Sequence, residues 1–432
     1  MICENISTAA NGHLLFAGQD TVELAEKYKT PVYLMDEDRI KEKCRIYIDS
    51  FRKEMPDGSM PLYAGKACSF KQIYRIMSEM GMGIDVVSPG EIYTAVQAGF
   101  DMKKAFFHGN NKTDEDISYA MECNVGFFIV DNMAELESVE RTACEKGMVQ
   151  DVLLRITPGI DPHTYDAVNT GKVDSKFGNA IETGQAKEIT LCALEKKNIR
   201  LQGYHCHVGS QVFEEDVFER AARVMLEFAA DIKGKCGYSP AMLNLGGGYG
   251  VKYTESDAGL NIEEKIHSVA NVIYNTCGEL GLDLPAVFME PGRSIVADSG
   301  MTLYTVGNVK RIPNYKNYVS IDGGMTDNPR YALYGSEYTC YAAGRMNEEC
   351  TMEATIAGRC CESGDLIQRD VMLPETVQRG DIIAVCTTGA YNYSMASNYN
   401  RIPRPPVIML SDGKSYAAVL RETYEDLCRN DV

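Results

Sequence analysis

The chain has 432 residues, 45% of them apolar and 24% charged, which is typical of a folded protein of two or three domains. Its 61 acidic and 43 basic residues give a net charge of −18, which argues against a nucleic-acid partner. No apolar run is long enough to cross a membrane, and the first twenty residues lack the pattern of a signal peptide. We therefore expect a cytoplasmic protein without membrane association.

Short apolar runs that end in polar or glycine residues recur along the first 292 residues and predict strands. An opening strand at 31–35 is followed by eight such runs, at 60–67, 83–88, 103–109, 126–131, 151–157, 201–209, 242–248 and 286–292. Amphipathic segments such as 91–100 and 132–147 separate them, and this alternation indicates a parallel sheet. Eight units favour a (β/α)8 barrel, with a doubly wound open sheet as the alternative.

The pattern changes from about residue 300, where β-rich runs separated by turn residues replace the alternation. These runs are 301–312, 317–324, 353–358, 381–391 and 405–420, followed by a weakly helical tail. They predict a second, antiparallel β domain.

Polar residues at the predicted strand ends point to the active site, since the C-terminal ends of barrel strands form the catalytic face. They include Lys66, Asp85, His207 and Glu290. Lys66 follows an apolar strand, and we expect it to be buried, because desolvation lowers the pKa of a lysine and favours it as an amine nucleophile.

Three consecutive glycines at 246–248 allow backbone N–H groups to approach a phosphate, although a tight turn explains them equally well. A lysine nucleophile, a phosphate loop and the Glu290 carboxylate at one barrel mouth indicate pyridoxal phosphate, whose pyridine nitrogen the carboxylate would keep protonated. A class I aldolase would need the lysine but has less use for Glu290. The cysteine, histidine and aspartate spacings do not indicate a metal site.

Ten motifs together resemble the diaminopimelate decarboxylases, a family of the alanine racemase-like (fold type III) pyridoxal-phosphate enzymes. They are YAGKA (63–67), GIDVVSPGE (83–91), HGNNKT (108–113), TGKVDSKFG (170–178), HCHVGSQ (205–211), GGGYG (246–250), EPGR (290–293), DGGMTDNPRYALYG (322–335), CESGD (361–365) and GAYNYSMASNYN (389–400). The resemblance implies a barrel at 36–295 and a β domain formed by 1–35 and 296–432.

The resemblance also implies individual roles. Lys66 resembles the Schiff-base lysine, and Cys361 the acid that protonates the product. The other cofactor-binding positions are Asp85, His207, Ser210, Gly247, Gly248, Glu290, Gly292, Arg293 and Tyr391. The substrate-binding positions are Arg293, Arg330, Tyr334, Glu362 and Tyr391. In this family Cys361 and Glu362 come from the neighbouring subunit, which implies a homodimer with shared active sites.

The chemistry of the substrate supports this resemblance. Diaminopimelate has a distal carboxylate, which suits an arginine such as Arg330, and a distal ammonium, which suits a carboxylate such as Glu362. The expected reaction is decarboxylation of meso-2,6-diaminopimelate to L-lysine, the last step of lysine biosynthesis. The alternatives are a decarboxylase of ornithine, lysine or arginine, whose substrates lack the distal carboxylate, and a non-catalytic regulator with this fold.

Overall fold

The computed structural model describes residues 1–160, 174–214 and 216–432, and the chain divides into two compact units. The barrel unit comprises 43–250 and 259–292. The β unit comprises 1–42, 251–258 and 293–432. The domain limits implied by the resemblance, 36–295 for the barrel, stay a prediction.

Eight parallel strands close the barrel, which confirms the predicted (β/α)8 architecture. In chain order they are β1 (Met60–Ala64), β2 (Gly83–Val86), β3 (Ala105–Phe107), β4 (Phe127–Val130), β5 (Gln150–Thr157), β6 (Ile199–His205), β7 (Met242–Asn244) and β8 (Ala286–Met289). Each strand pairs with the next, and β8 pairs with β1, so no barrel strand is an open edge. Apolar side chains such as Leu62, Phe106, Leu153 and Phe288 fill the barrel interior.

Among the described residues, a helix follows each of β1 to β7. These helices are Lys71–Met80, Pro89–Ala98, Asp114–Glu122, Met133–Glu145, Gln185–Glu195, Val217–Cys236 and Ile262–Leu280, and the helix Glu37–Glu54 precedes β1. Pro89 starts its helix directly after the N-cap Ser88, whose hydroxyl accepts the Glu91 N–H. Proline suits this position because its fixed φ fits the first helical turn.

The long strand Gly300–Ile312 lies at the centre of the β unit. It pairs antiparallel with Val32–Asp36, Lys316–Ile321 and Ile382–Cys386. The flanking strands of this sheet are Cys340–Ala342, Cys350–Ala357, Leu366–Pro374, Val407–Ser411 and Lys414–Val419. The predicted antiparallel sheet is confirmed in the main, although two strand pairs are parallel.

The N-terminal residues add a small antiparallel sheet to the β unit, with strands Ile6–Thr8, Leu14–Phe16 and Gln19–Asp20. Helices of this unit are Thr21–Tyr28, Arg293–Val296, Arg330–Tyr334, Asn392–Met395 and Tyr424–Cys428. Leu14, Leu34, Leu303 and Ile408 belong to one buried core, so the beginning and the end of the chain pack together within this unit.

Sequence analysis missed the strand Leu366–Pro374. Its apolar alternation is interrupted by Arg369 and Asp370, and Asp370 has a positive φ of 54°. The register shift in its pairing with Cys350–Ala357 has the same effect on the pattern. In the part of the chain that the structure describes, no helix combines the length and apolar character needed to cross a membrane.

Candidate active site

Buried polar side chains cluster at the C-terminal ends of seven barrel strands. They are Asp85 in β2, His108 after β3, Asp131 after β4, Arg155 in β5, His205 at the end of β6, Asn244 at the end of β7 and Glu290 after β8. Each is less than a tenth exposed. Polar groups in such surroundings are costly unless they find partners, so their mutual contacts define the chemistry of the barrel mouth.

Glu290 is the centre of this cluster. Asn244 Nδ2 donates to its Oε1 at 2.7 Å, and His108 Nε2 lies 2.9 Å from the same oxygen. His205 Nε2 lies 3.3 Å from Oε2, within hydrogen-bond distance. Burial raises the pKa of Glu290, but His108 and His205 outweigh it and hold this pKa well below the usual range. Glu290 is therefore a carboxylate at neutral pH.

His205, at the end of β6, and His207, two residues later, both have a pKa that favours the neutral imidazole. Burial lowers the pKa of His205 to about 4, against the opposing effect of Glu290, and a neutral ring can still donate from Nε2. Burial also lowers the pKa of His207, and the positive charges of Lys66 and Arg155 add to this effect. His207 Nδ1 accepts the Gly247 N–H at 3.3 Å, which fixes the orientation of the ring.

Lys66 differs from the sequence-based expectation in its environment, whereas Asp85 lies in the predicted strand. Lys66 lies on a 3₁₀ turn, Gly65–Ala67, which directly follows β1, and its side chain is exposed. The expectation of a buried lysine is wrong, because the turn takes Lys66 out of the apolar strand. Asp85 is buried as a strand residue, and burial raises its pKa. Its Oδ1 lies 3.8 Å from His108 Nε2 and accepts no hydrogen bond among the described residues.

The glycine run after β7 is required by close backbone approaches. A Cβ atom on Gly247 would lie 2.1 Å from the Glu290 carbonyl oxygen. Gly248 has a φ of +115°, and a Cβ atom there would lie 2.0 Å from the Gly209 carbonyl oxygen. Larger residues are therefore excluded, and the backbone remains open to a ligand. Ser210 lies half-buried nearby in the chain after β6, and Gly292 is buried beyond β8.

A second polar cluster lies in the β unit and combines two arginines with tyrosines. Arg330 is 7% exposed; its Nη1 donates to Tyr338 Oη at 2.8 Å and its Nη2 to Ser336 Oγ at 3.2 Å. Its guanidinium carbon lies 4.9 Å from the centre of the Tyr253 ring. Within the described residues, none of its partners is a carboxylate, although a buried cation ordinarily has one.

Arg293 belongs to the same cluster in the β unit. Its Nη1 donates to Tyr253 Oη at 2.7 Å, and its guanidinium carbon lies 4.6 Å from the centre of the Tyr391 ring. Tyr253 therefore touches both arginines, as a hydrogen-bond acceptor of one and a cation–π partner of the other. Arginine and tyrosine hydroxyl groups in this arrangement suit the recognition of an anion.

The other predicted substrate residues of the β unit are exposed. Tyr334 ends the helix Arg330–Tyr334, and its side chain is 47% exposed. Cys361 and Glu362 lie in an exposed turn, whereas Cys360 is buried, and burial raises the pKa of its thiol to about 12. Asp365, the last residue of CESGD, is buried and accepts the N–H groups of Met325 and Cys360. This carboxylate joins the CESGD turn to the preceding DGGMTDNP loop.

The HGNNKT motif has a structural explanation that the sequence did not provide. The Lys112 ammonium is buried and donates to Gly109 O, Ile129 O and Glu135 Oε1 at 2.7–2.9 Å. Glu135 Oε2 in turn accepts the Asp131 N–H. This pair connects the residues after β3 with those after β4. The first four residues of the TGKVDSKFG motif, 170–173, lie outside the described residues.

Sequence reasoning missed several residues of these two clusters. Asn244 and Tyr253 were not singled out, Tyr338 was not considered, and His108 carried no signal beyond a histidine at a strand end. Only their position in the predicted strands 103–109 and 242–248 could have identified His108 and Asn244, since the C-terminal parts of barrel strands face the barrel mouth. No such signal exists for Tyr253, which lies in the short segment 251–258 that joins the β unit.

Comparison with a family model defines the class. Residues 37–297 match the pyridoxal-binding domain of the pyridoxal-dependent decarboxylases, so this barrel is that of a pyridoxal-phosphate decarboxylase. The chain is 43% identical to a diaminopimelate decarboxylase of Bacillus subtilis, covering 98% of this chain and 96% of the relative, and 42% identical to one of Staphylococcus aureus, covering 98% of both. The chain belongs to the diaminopimelate decarboxylase family.

A solved structure agrees with this assignment. The diaminopimelate decarboxylase of M. jannaschii in co-complex with L-lysine superposes with a TM-score of 0.92 at 34% identity, covering 100% of this chain and 98% of the other. The fold of type III pyridoxal-phosphate decarboxylases is thereby shown, in agreement with the sequence analysis.

The barrel residues fit pyridoxal phosphate, which is the cofactor of this family. An ionised Glu290 suits a protonated pyridine nitrogen, and the approaches at Gly247 and Gly248 leave no room for a side chain. Three buried polar atoms of this cluster, Asp85 Oδ1, His108 Nε2 and His205 Nδ1, have no hydrogen-bond partner among the described residues, so His108 contacts Glu290 at 2.9 Å as a close neighbour.

Proposed function

We propose that the chain removes carbon dioxide from meso-2,6-diaminopimelate and forms L-lysine, with pyridoxal phosphate as cofactor. The observation that carries this proposal is Arg330, a buried cation whose partners are hydroxyl groups and aromatic rings. Such a guanidinium suits a ligand carboxylate, and the distal carboxylate of diaminopimelate is what distinguishes this substrate from lysine, ornithine and arginine. The names of the close relatives support the same reaction.

In this proposal the barrel residues hold the cofactor. When bound, pyridoxal phosphate accepts the electron pair that remains on Cα when carbon dioxide leaves. Lys66 would bind the cofactor covalently, His207 would lie against its ring and Glu290 would keep its pyridine nitrogen protonated. Asp85 would be a further cofactor contact. Ser210, Gly247, Gly248, Gly292, Arg293 and Tyr391 would bind the phosphate.

The residues of the β unit bind the substrate and complete the reaction. Arg330 binds the distal carboxylate, assisted by Arg293, Tyr334 and Tyr391, and Glu362 binds the distal ammonium. Fixing both distal groups orients the scissile carboxylate, and such positioning lowers the barrier. Cys361 donates the proton that replaces carbon dioxide on Cα. A thiol suits this step, because it ionises close enough to neutral pH to be reprotonated after each turnover.

The same proposal includes a homodimer in which Cys361 and Glu362 serve the active site of the partner subunit. It is tested by complementation between two inactive variants. Lys66→Ala and Cys361→Ala proteins, mixed under conditions that exchange subunits, should form some sites with both residues intact and regain activity. Verified exchange without recovery would show that each site is built from one chain.

We also propose that the protein acts in the cytoplasm. All fifteen of its cysteines are free. Cysteines that act as small core residues are buried, but only seven of the fifteen are. Free thiols in this number suit a reducing compartment. Thiol trapping in intact cells should find them reduced.

The substrate is tested by a carbon-dioxide release assay with meso-diaminopimelate, L-lysine, L-ornithine and L-arginine. The proposal expects turnover of meso-diaminopimelate alone. Preference for one of the other three amino acids would indicate a decarboxylase without a distal carboxylate in its substrate. A purified protein that binds pyridoxal phosphate but releases no carbon dioxide from any of them would favour the non-catalytic alternative.

A further inference from the structure

The buried carboxylate of Glu290 is held by side chains that come from three different strands. Asn244 at the end of β7 lies beside it, His205 comes from β6, and His108 follows β3, which is three strands from β8 through β1 and β2. All three are at most 5% exposed. Asn244 and His205 hydrogen-bond this carboxylate from one side of the closed barrel and His108 contacts it from the other, so its position is fixed by the fold as a whole.

The two imidazole rings also contact each other. Their centres are 4.9 Å apart and their planes meet at 74°, an edge-to-face arrangement. His108 Nε2 and Asn244 Nδ2 share Oε1, while His205 Nε2 is directed at Oε2. Asn244 Oδ1 accepts the Gly246 N–H at 2.9 Å, so the amide is oriented with its donor towards Glu290. Neither carboxylate oxygen is left without a nitrogen neighbour.

We propose that His108, His205 and Asn244 are positioning residues that keep Glu290 ionised and aimed at the pyridine nitrogen of the cofactor. Glu290 touches the cofactor in the proposed function, on which this inference rests, and the three residues act only through Glu290. A buried carboxylate that lost these nitrogen neighbours would take up a proton, and a neutral Glu290 could not hold the pyridine nitrogen in its protonated form.

The charged groups around Glu290 also affect its pKa, so they decide how a change in its protonation is interpreted. The titratable and charged groups around Glu290 are Asp85 from β2, His108 after β3, Arg155 from β5, His205 at the end of β6, and Cys206 and His207 directly after it. Lys66 after β1 acts on Asp85 and His207. Asp85 opposes the ionisation of Glu290 and Arg155 favours it. Variants of the three positioning residues leave both of these groups in place, so a change in the leucine variants can be attributed to the lost imidazole, whereas Asn244→Asp removes a donor and also adds a carboxyl group.

The test measures how the absorbance of the bound cofactor depends on pH in the holoenzyme, together with the dissociation constant for pyridoxal phosphate. In Asn244→Asp the acceptor for the Gly246 N–H is kept, but a carboxylate oxygen replaces the donor to Glu290. We expect the acid transition of the cofactor spectrum to move to higher pH by about one to two units. His108→Leu and His205→Leu should move it in the same direction, and the affinity for pyridoxal phosphate should fall.

Conservative variants separate positioning from simple packing. The amide nitrogen of glutamine lies near the position of imidazole Nε2, so His108→Gln and His205→Gln should restore much of the spectral transition, since both histidines contact Glu290 through Nε2. The matched control is His267, a histidine of the same unit that contacts Glu54 Oε2 at 2.8 Å and is largely exposed. His267→Leu should change neither the spectrum nor the cofactor affinity.

Three results would overturn the inference. The first is an unshifted acid transition of the cofactor spectrum in Asn244→Asp, His108→Leu and His205→Leu proteins that are folded and loaded with cofactor. The second is a loss of thermal stability in both the leucine and the glutamine variants, with no spectral change in either. The third is stoichiometric metal in the purified protein, because the ligand atoms of His108, His205 and Glu290 lie within 4.8 Å of one another.

The measurement requires the cofactor but no substrate. A protein that decarboxylates a different amino acid would still show the predicted shift, and the inference would stand. A protein that binds no pyridoxal phosphate would instead contradict the proposed function itself.

Discussion

The barrel unit and the β unit bury opposite charges and balance them differently. In the barrel, the Glu290 anion has nitrogen atoms of Asn244, His108 and His205 at 2.7–3.3 Å. In the β unit, the Arg330 cation contacts hydroxyl groups and aromatic rings, and among the described residues it has no carboxylate partner. The barrel thus surrounds its buried anion with nitrogen atoms of its own, whereas the β unit leaves a positive charge for a ligand.

This difference separates two tasks of the proposed enzyme. A residue that sets the electronic state of a cofactor must keep one protonation state, and a closed network of donors achieves this. A residue that selects a substrate must instead gain its partner on binding, so that analogues without the partner are rejected. The predictions below test this division, beginning with the largest expected effect.

Loss of Lys66 tests whether the barrel unit holds the cofactor as proposed. Lys66→Ala should abolish the borohydride-reducible bond to pyridoxal phosphate and reduce carbon-dioxide release roughly a thousandfold or more, since covalent attachment is lost. Peptide mass spectrometry locates the reduced adduct in the wild-type protein. An adduct on any other lysine would show that the assignment of Lys66 is wrong.

Loss of Arg330 tests whether the β unit selects the substrate. Arg330→Ala should lower kcat/KM for diaminopimelate by a factor that corresponds to a loss of about 2–5 kcal/mol in transition-state stabilisation, the usual cost of removing one partner of a buried charge pair. Arg330→Lys should recover part of this, because it restores the charge without the planar fork. The matched control is Arg311→Ala, an arginine of the same unit that lies in an exposed pair with Glu375. Equal kinetics in Arg330→Ala and in the control would show that Arg330 does not bind the substrate.

The adjacent thiols Cys360 and Cys361 test which side chain of the β unit donates a proton. Cys361→Ala should slow the formation of L-lysine roughly a hundredfold, as expected for loss of a general acid. Cys360→Ala should have little effect, because burial raises the pKa of this thiol to about 12 and its backbone N–H is bound by Asp365. Single-turnover measurements that separate carbon-dioxide release from product formation identify the affected step. The reverse result would assign the role to Cys360.

The smallest expected effect concerns stability, and it sharpens the comparison between the two units. Each unit contains a carboxyl group whose pKa burial raises to about 7, the half-buried Glu91 in the barrel and the fully buried Asp327 in the β unit. A raised carboxyl pKa means that the folded state holds a proton that the unfolded state has lost between about pH 4.5 and pH 7. The free energy of unfolding therefore falls as the pH rises through this range.

The two groups should respond differently to an amide. Glu91 Oε2 accepts the Val87 N–H, which a glutamine oxygen can also do, so Glu91→Gln should be more stable than the wild type at pH 8, by at most about 3 kcal/mol, and nearly equal to it at pH 4.5. Asp327 accepts from Tyr304 Oη, Gly324 N–H and Thr326 Oγ1, so an amide nitrogen would face a donor and Asp327→Asn should be less stable. Urea unfolding at both pH values measures this, with exposed Glu145→Gln as control. A gain in Asp327→Asn would contradict the argument.

The sequence by itself determined the elements whose signal is local. Eight apolar runs alternating with amphipathic segments predicted the barrel strands, because strand and helix periodicities differ and each requires only neighbouring residues. Since the ends of parallel strands meet at one face, the sequence also placed Asp85, His207 and Glu290 at the barrel mouth. The strand Leu366–Pro374 was missed because a polar pair and a left-handed residue obscure its alternation.

Only the tertiary structure decided which of these residues meet. His108 and Glu290 are separated by 182 positions in the chain and are brought to 2.9 Å by the closure of the barrel. Tyr253 lies between two arginines of the β unit because the segment 251–258 leaves the barrel unit, which no local pattern indicates. The exposure of Lys66 depends in the same way on a turn that follows an apolar strand. Periodicity fixes which face of an element a side chain occupies, whereas its partners are fixed by long-range packing.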